Sequence, residues 1–593
     1  MLSQYIFDLC RSSATVSSEH AKAPNIAPAD VIKRLYQPNE RAEVPRESPE
    51  PHRDDLELAF ECGRWRERPS RLFLHAFADA LACLNANPLA GMVSPPLMGS
   101  HGTVPLTILA PLADIARHCA QVIQEARREV FFVTCVWSPS DFQQSIKNAL
   151  IELSKRAGDR GERVTVRVIY DQASPWHMFE THQKLKPEAY DNKHVQLPKP
   201  GEIPHLDLHV LSLHTVFLGT LHAKFCVVDG KTALIMSNNI EDNQNLEMLT
   251  HLEGPIVDSV YDTALITWSK TLDETSPPTQ PADDEDTRLD EERHLRLARV
   301  IQEMNSRYEG ESCLQATNHQ MNLDYKTQIE PAGPEIPHGE EMTPHVWTQT
   351  QSTVPMALVS RPSYGGLDSG ETNFPQNEAW LSLVRNAERS VFIQTPDLNA
   401  GPLVSALADA LARGVEVTYY FCFGYNDAGE MIPGQGGTNE QAARKLIALA
   451  HARADPSKVN VDNLLRIHAY VAKDQDHPIH HSFPARACHL KLLIVDETVG
   501  VQGSGNQDTQ SWCHSQELNV MIDSHEICGK WREAIERNQR TAMFGRVGGD
   551  GIWRDAQGQP GQGYSGDPGM VDGLFKGVAG MLNKTMRQRS STT

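Results

Sequence analysis

No apolar run in the sequence approaches the length needed to cross a bilayer, which excludes a membrane-spanning helix as an organising element. Its first residues, MLSQYIFDLCRSSATVSS, lack a basic stretch followed by a sustained apolar one, so no signal peptide is read. The expected setting is the cytosol or a cytosolic membrane face, as a cytoplasmic or peripheral membrane protein. Cysteine is present but never paired: the 11 residues are scattered singly, without C-x-x-C or zinc-like spacing. That argues against a zinc module or a disulfide framework, and Cys135, Cys226 and Cys422 sit inside apolar runs as small hydrophobes. Positive charge is also scarce, since 55 lysines and arginines face 76 acids for a net charge of −21. A protein that coats nucleic acid non-specifically needs the opposite balance, so any phosphate must be met by a few placed cations. The glycine-rich segment GYNDAGEMIPGQGGTNE (424–440) lacks G-x-x-x-x-G-K-[ST] spacing. It reads as a turn-rich connection, placed to line a substrate entrance.

What the chain does contain is a repeat. Its 593 residues are too many for one core, and 40% apolar with 22% charged residues is ordinary for a globular protein. EARREVFFVTCVW (125–137) runs from a helix end into a strand; Phe142, Ile146, Leu150 and Leu153 mark a helix, and VTVRVIYD (164–171) a second strand. RNAERSVFIQTPDL (385–398) repeats the first step, Leu403, Leu407 and Leu411 mark the helix, Gly414 stops it, and VEVTYYFCF (415–423) supplies the strand. Strands alternating with helices predict an α/β fold of two similar halves, from an internal duplication. The expected order is an N-terminal extension (1–104), irregular over 14–56; a first half (105–272); a polar linker or insertion (273–374); a second half (375–545); and a tail (546–593). Within the linker, DETSPPTQPADDEDTRLDEE (273–292) reads as solvated and LRLARVIQEM (295–304) as a short helix. In the tail, residues 573–589 gather Leu574, Phe575, Val578, Met581 and Leu582 on one helical face beside basic residues, as an interfacial helix does.

Each half reaches one signature: His222-x-Lys224-x4-Asp229-x6-Met236-Ser237-x-Asn239, and His489-x-Lys491-x4-Asp496-x6-Gly503-Ser504-x-Asn506. A single H-x-K means little; two full copies in duplicated halves are a specific signal. Residues i and i+2 of a strand face one side, so each histidine projects with its lysine. Lysine offers a point charge to a phosphate oxygen, and serine and asparagine of the next strand offer hydrogen-bond donors. Two facing copies would surround one phosphodiester with a nucleophile, a general acid and cations, a set that calls for no cofactor and no metal.

With these motifs the chain resembles the phospholipase D superfamily, over roughly residues 105–270 and 375–545, in an uncharacterised branch. The resemblance implies two α/β/α sandwich halves related by a pseudo-two-fold axis. It implies a covalent phosphohistidine, with His222 as nucleophile and His489 as acid and base. Lys224, Lys491, Asn239 and Asn506 would bind phosphate, assisted by Ser237 and Ser504. Glu247 and Glu517 match the family carboxylate that orients an imidazole, and Asp229 and Asp496 are expected to hold the architecture. Met236, where the family usually has glycine, is expected to narrow the pocket or tilt Ser237. His214, His251, His480, His481 and His514 read as surface or structural histidines, and Trp512 as a core aromatic.

The leading function is a phosphodiesterase or phosphatidyltransferase acting on glycerophospholipids, with a phospholipid or membrane surface as partner. A nuclease or DNA-end phosphodiesterase using the same residues is the alternative, disfavoured because no basic run flanks either motif. An inactive lipid- or phosphate-binding adaptor is the third reading. Head-group preference, water against alcohol as acceptor, and oligomeric state are not legible in the sequence.

Overall fold

The computed structural model describes residues 2–36, 54–270, 311–323, 328–348, 353–368, 370–432, 434–482 and 486–564. The expected helix at 295–304 and the amphipathic stretch at 573–589 lie outside the described residues.

Two mixed sheets carry the chain. In the first, the strands run in the order Gly99–Ala110, Glu247–Glu253, Thr232–Met236, Phe225–Val228, Glu129–Thr134, Val164–Asp171 and Leu206–Thr215. In the second, the order is Val354–Leu358, Asn519–Asp523, Val499–Gly503, Leu492–Val495, Ser390–Gln394, Glu416–Phe421 and Leu465–Ala469. The two orders correspond strand for strand. So do the senses: the last three strands of each series are parallel and the other pairings antiparallel. The chain is an internally duplicated α/β protein. Gly99–Ala110 also joins the sheets, because Gly99–Gly102 pairs with Val354–Ala357 while Thr103–Ala110 pairs with Glu247–Glu253.

Continuous burial explains the layering. Glu129–Thr134 and Phe225–Val228 are buried at every residue, and such strands need cover on both faces. Helices Leu112–Gln124 and Ile256–Trp268 both pack on Phe225–Val228. Pro375–Arg385 and His525–Arg537 play the matching part on Leu492–Val495 and Val499–Gly503. The helix Asp141–Arg160 starts where Ser140 Oγ accepts from Gln143 N at 3.0 Å, and it ends on Gly161 at φ +68°. In the second half Gly414 stops Gly401–Ala412, at φ +94°, a conformation that glycine adopts without a Cβ penalty.

Two regions depart from expectation. Residues 14–56 are not simply irregular: Val16–Lys22 and Pro28–Tyr36 are helices, the first capped reciprocally by Thr15 and Ser18. These helices have 7 and 9 residues, too short for a periodicity to declare itself. The polar bridge is not all outside the sheets either. Val354–Leu358 is a strand of the second sheet, Cys313–Met321 is a helix, and Arg486 ties Asn322 to Asp474 in the interior.

Candidate active site

Both H-x-K segments lie just before a buried strand, Phe225–Val228 or Leu492–Val495, on the seam between the halves. The seam is built reciprocally. Leu221 bridges Gln516 and Leu246 bridges Cys488, both in parallel sense. His222 N donates to Gln516 O at 2.9 Å and His489 N to Leu246 O at 2.8 Å. Each histidine is therefore stitched to the residue preceding the other half's glutamate.

Consequently the imidazole–carboxylate pairs cross the seam. His222 Nδ1 meets Glu517 Oε1 at 2.7 Å, and His489 Nδ1 meets Glu247 at 3.0 and 3.1 Å. With Nδ1 engaged in each ring, Nε2 is the nitrogen left for chemistry. Lys224 Nζ donates to His222 O at 2.7 Å and Lys491 Nζ to His489 O at 2.5 Å, so each ammonium stays folded beside its own histidine.

The two serines reach the glutamates. Ser237 Oγ donates to Glu247 Oε2 and Ser504 Oγ to Glu517 Oε2, both at 2.5 Å, while accepting from Met248 N and Leu518 N. A hydroxyl has one proton, and here it is donated to the carboxylate, so Ser237 and Ser504 clamp the glutamates. The identical pair of 2.5 Å contacts also shows that Met236 does not tilt Ser237. Met236 is buried with its Sδ 3.7 Å from Cys119 Sγ, whereas a Cβ at Gly503 would run into Asn519 Oδ1 and Leu518 O at 2.4 Å. Glycine is required only where Asn519 fills the space.

Asn239 and Asn506 turn their amides to acids: Asn239 Nδ2 lies 2.8 Å from Glu241 Oε1 and Asn506 Nδ2 3.2 Å from Asp508 Oδ2. Asp229 and Asp496 stand at the far ends of the strands, at φ +55° and +53°. Asp229 accepts from the backbone N–H of Arg127, Arg128 and Glu129 at 2.8, 2.8 and 2.9 Å. Asp496 accepts from Glu388, Arg389 and Ser390 at 2.9, 2.7 and 2.8 Å. Each aspartate thereby fastens the turn after the motif strand to the start of its neighbour.

Electrostatically the two pairs differ. Burial alone would raise the Glu517 carboxyl, but His222, Lys224 and Ser504 outweigh it and hold it down to about 2. Burial pushes Glu247 up to about 7 against the pull of Lys491. Both imidazoles are lowered, chiefly by burial; His489 falls further because Lys491 and Lys224 bear on it. Burial lowers Lys491 to about 8. The His222 side chain keeps 16% of its surface open, against 5% for His489.

Sequence comparison places these features. The family model described as "Cardiolipin synthase, PLD-like domain" matches residues 119–265 and 381–538, just over half of the chain. The chain belongs to the PLD-like family. Among solved structures, phosphatidylserine synthase of Haemophilus influenzae Rd KW20 is similar at 13% identity, covering 83% of this chain and 96% of that one with a TM-score of 0.45. Nuc, a phospholipase D family member from Salmonella typhimurium, is 17% identical over 31% of this chain and 96% of its own, with a TM-score of 0.22. NucT from Helicobacter pylori is 16% identical over 32% and 98%, at 0.22. Among curated proteins none matches.

Other residues of this PLD-like site were not singled out from sequence. Ser511 Oγ donates to Glu517 Oε1 at 2.7 Å, and the Tyr425 ring lies 5.9 Å from that of His489, contributed by the 424–440 segment. Asp171 accepts from Leu221 N at 2.8 Å and from His214 at 3.0 Å, bracing the residue before His222. Glu241 and Asp508 were within reach, since each stands two residues after the motif asparagine in both copies. Trp512 is buried, its indole donating to Gln507 at 3.0 Å, and His251 is an interior histidine against His118 and Glu253.

Proposed function

We propose that the protein cleaves or transfers phosphodiesters of glycerophospholipids through a covalent phosphohistidine. The observation that supports this most is the pair of crossed imidazole–carboxylate contacts, which ties both H-x-K copies into one site. His222 Nε2 attacks phosphorus and the bond from phosphorus to the leaving alcohol breaks. His489 gives that oxygen its proton. Water or an acceptor alcohol then loses a proton to His489, attacks phosphorus, and frees His222. Lys224 and Lys491 offset the charge of the phosphoryl oxygens.

The assignment of roles follows the electrostatic asymmetry. Glu517 is ionised at neutral pH and holds the more accessible imidazole as a neutral, oriented nucleophile. The His489–Glu247 pair retains a proton up to about pH 7, which suits the acid.

Lipid is favoured over nucleic acid by the surface near His222. Trp176, Met178 and Phe179 are 70, 65 and 85% exposed on one turn, and Phe217 and Leu367 are 62 and 76% exposed. They share one neighbourhood: Phe217 N donates to Gly365 O at 2.7 Å, and the His177 ring lies 6.3 Å from His214, which holds Asp171. Large apolar side chains left in water beside a site fit a membrane interface, where Trp and Phe settle.

The test is incubation with phospholipid labelled at phosphorus, followed by a denaturing alkaline quench. Label that survives alkali and is released by acid is expected on the wild-type protein and absent from His222→Ala. Label retained in His222→Ala would overturn the assignment.

A further inference from the structure

Beyond the histidine pairs, the second half buries a cluster of three carboxylates. Asp397 follows the strand Ser390–Gln394, Glu430 comes from the 424–440 segment, and Asp508 follows the second motif. They are 2, 3 and 3% exposed, and one oxygen of each lies within 4.8 Å of the others. Two of them are supported. Glu430 accepts from Asn426 Nδ2 at 3.0 Å and from Asn399 Nδ2; Asp508 accepts from Ser511 N at 2.6 Å and Asn506 Nδ2 at 3.2 Å. Asp397 is not: among the described residues no N–H or hydroxyl donor reaches either of its oxygens, and burial beside Asp508 and Glu430 pushes its carboxyl well up.

The duplication does not account for this. Thr395 Oγ1 donates to Asp397 O at 3.0 Å just as Thr134 Oγ1 donates to Val136 O at 3.3 Å, and the bridges Leu398–Gln507 and Trp137–Ile240 match. The counterpart of Asp397 is therefore Val136, and that of Asp508 is Glu241. The first half thus has Val136 and Glu241 where the second has Asp397 and Asp508. Burying a carboxylate without a donor is costly, and placing it beside two others compounds the cost.

We propose that Asp397, Glu430 and Asp508 form a binding site for one hard divalent cation of the calcium type. Such ions take carboxylate oxygens at about 2.3–2.6 Å, which spans an oxygen cluster of this size. The cation would give Asp397 the partner the protein withholds. It would fasten the 424–440 segment, which carries Tyr425, to the strand end and motif loop beside His489. It takes no part in the bond-making steps, so it stands or falls apart from the phosphohistidine reading.

The test uses the full chain stripped with chelator and then dialysed. Calorimetric titration with calcium, and separately magnesium, is expected to show one equivalent bound and a matching rise in melting temperature. Asp397→Asn should weaken binding at least tenfold and remove the cation-dependent rise. Because an amide at this position can donate to Asp508 or Glu430, it should melt no lower than wild type in chelator, which separates lost binding from lost folding. Asp508→Asn should also weaken binding, and His222→Ala should leave it unchanged. Absence of heat and of any melting shift in wild type with both ions would overturn the proposal. So would an undiminished shift in Asp397→Asn, or a cluster whose stabilisation follows pH alone, as a proton shared by Asp397 and Asp508 would give.

Discussion

Glu247 and Glu517 occupy equivalent places, yet their surroundings send them in opposite directions. Glu517 has two hydroxyl donors, Ser504 and Ser511, while Ser237 is the serine that reaches Glu247. With its pKa near 7, Glu247 shares a proton with His489, so kcat/KM should fall as pH rises through about 7. In Glu247→Gln the imidazole keeps its burial and the repulsion of Lys491 and Lys224 but loses its carboxylate. The descending limb should then move to lower pH, with activity reduced by roughly 10²–10⁴-fold. A pH–rate profile with the limb unmoved would refute this pairing. Glu517 behaves conversely under the linkage rule. Its folded pKa of about 2 lies below the unfolded value, so its stabilisation is full above the unfolded carboxylate range and is lost as pH falls toward 2. Ser504→Ala should erode that term, visible as an acid-unfolding midpoint shifted to higher pH.

At the scale of elements, the strands and their motifs were the legible part. The H-x-K pairs, the strands after them and the helices Asp141–Arg160 and Gly401–Ala412 follow from alternation and helical spacing, because buried strands leave apolar runs in sequence. What stayed hidden was whatever depends on the other half. The spacing from Ser237 to Glu247 allows a contact within one copy, but whose histidine that glutamate orients is settled only by the seam. Val354–Leu358 was hidden for a similar reason, since five residues inside a polar stretch show their affiliation only through partners on Gly99–Gly102 and Asn519–Asp523. The turns at Asp229 and Asp496 are local, and a prediction follows from them. Each carboxylate satisfies three backbone N–H groups, so Asp496→Ala leaves three donors short of a partner and should destabilise the protein by about 1–3 kcal/mol. Chemical denaturation would measure it, and a smaller loss than 0.5 kcal/mol, the lower bound for a typical hydrogen bond, would contradict the role. The turn Pro175–Met178 carries the exposed Trp176, with Phe179 following it. Replacing both aromatics with serine should reduce sedimentation with phospholipid vesicles several-fold while leaving turnover of a short-chain soluble substrate near wild type. Equal losses on both substrates would place these side chains in folding or catalysis instead.

Across the whole molecule, the crossed pairs make the two halves a single chemical unit. Neither motif histidine is oriented by a carboxylate of its own half; each half lends a glutamate to the other through the reciprocal backbone bonds at the seam. This arrangement has a signature in double-mutant cycles, because residues that act through one another are not additive. Once His222 is alanine, Glu517 has no ring to orient. Adding Glu517→Gln to His222→Ala should therefore cost little more than His222→Ala alone. Adding Glu247→Gln to His222→Ala tests the opposite pair. Any residual turnover there depends on His489 and should fall again by much of the single-mutant factor. Contacts made within each half would reverse the two results, so the pattern of coupling in single-turnover rates decides how the duplicated copies share one site.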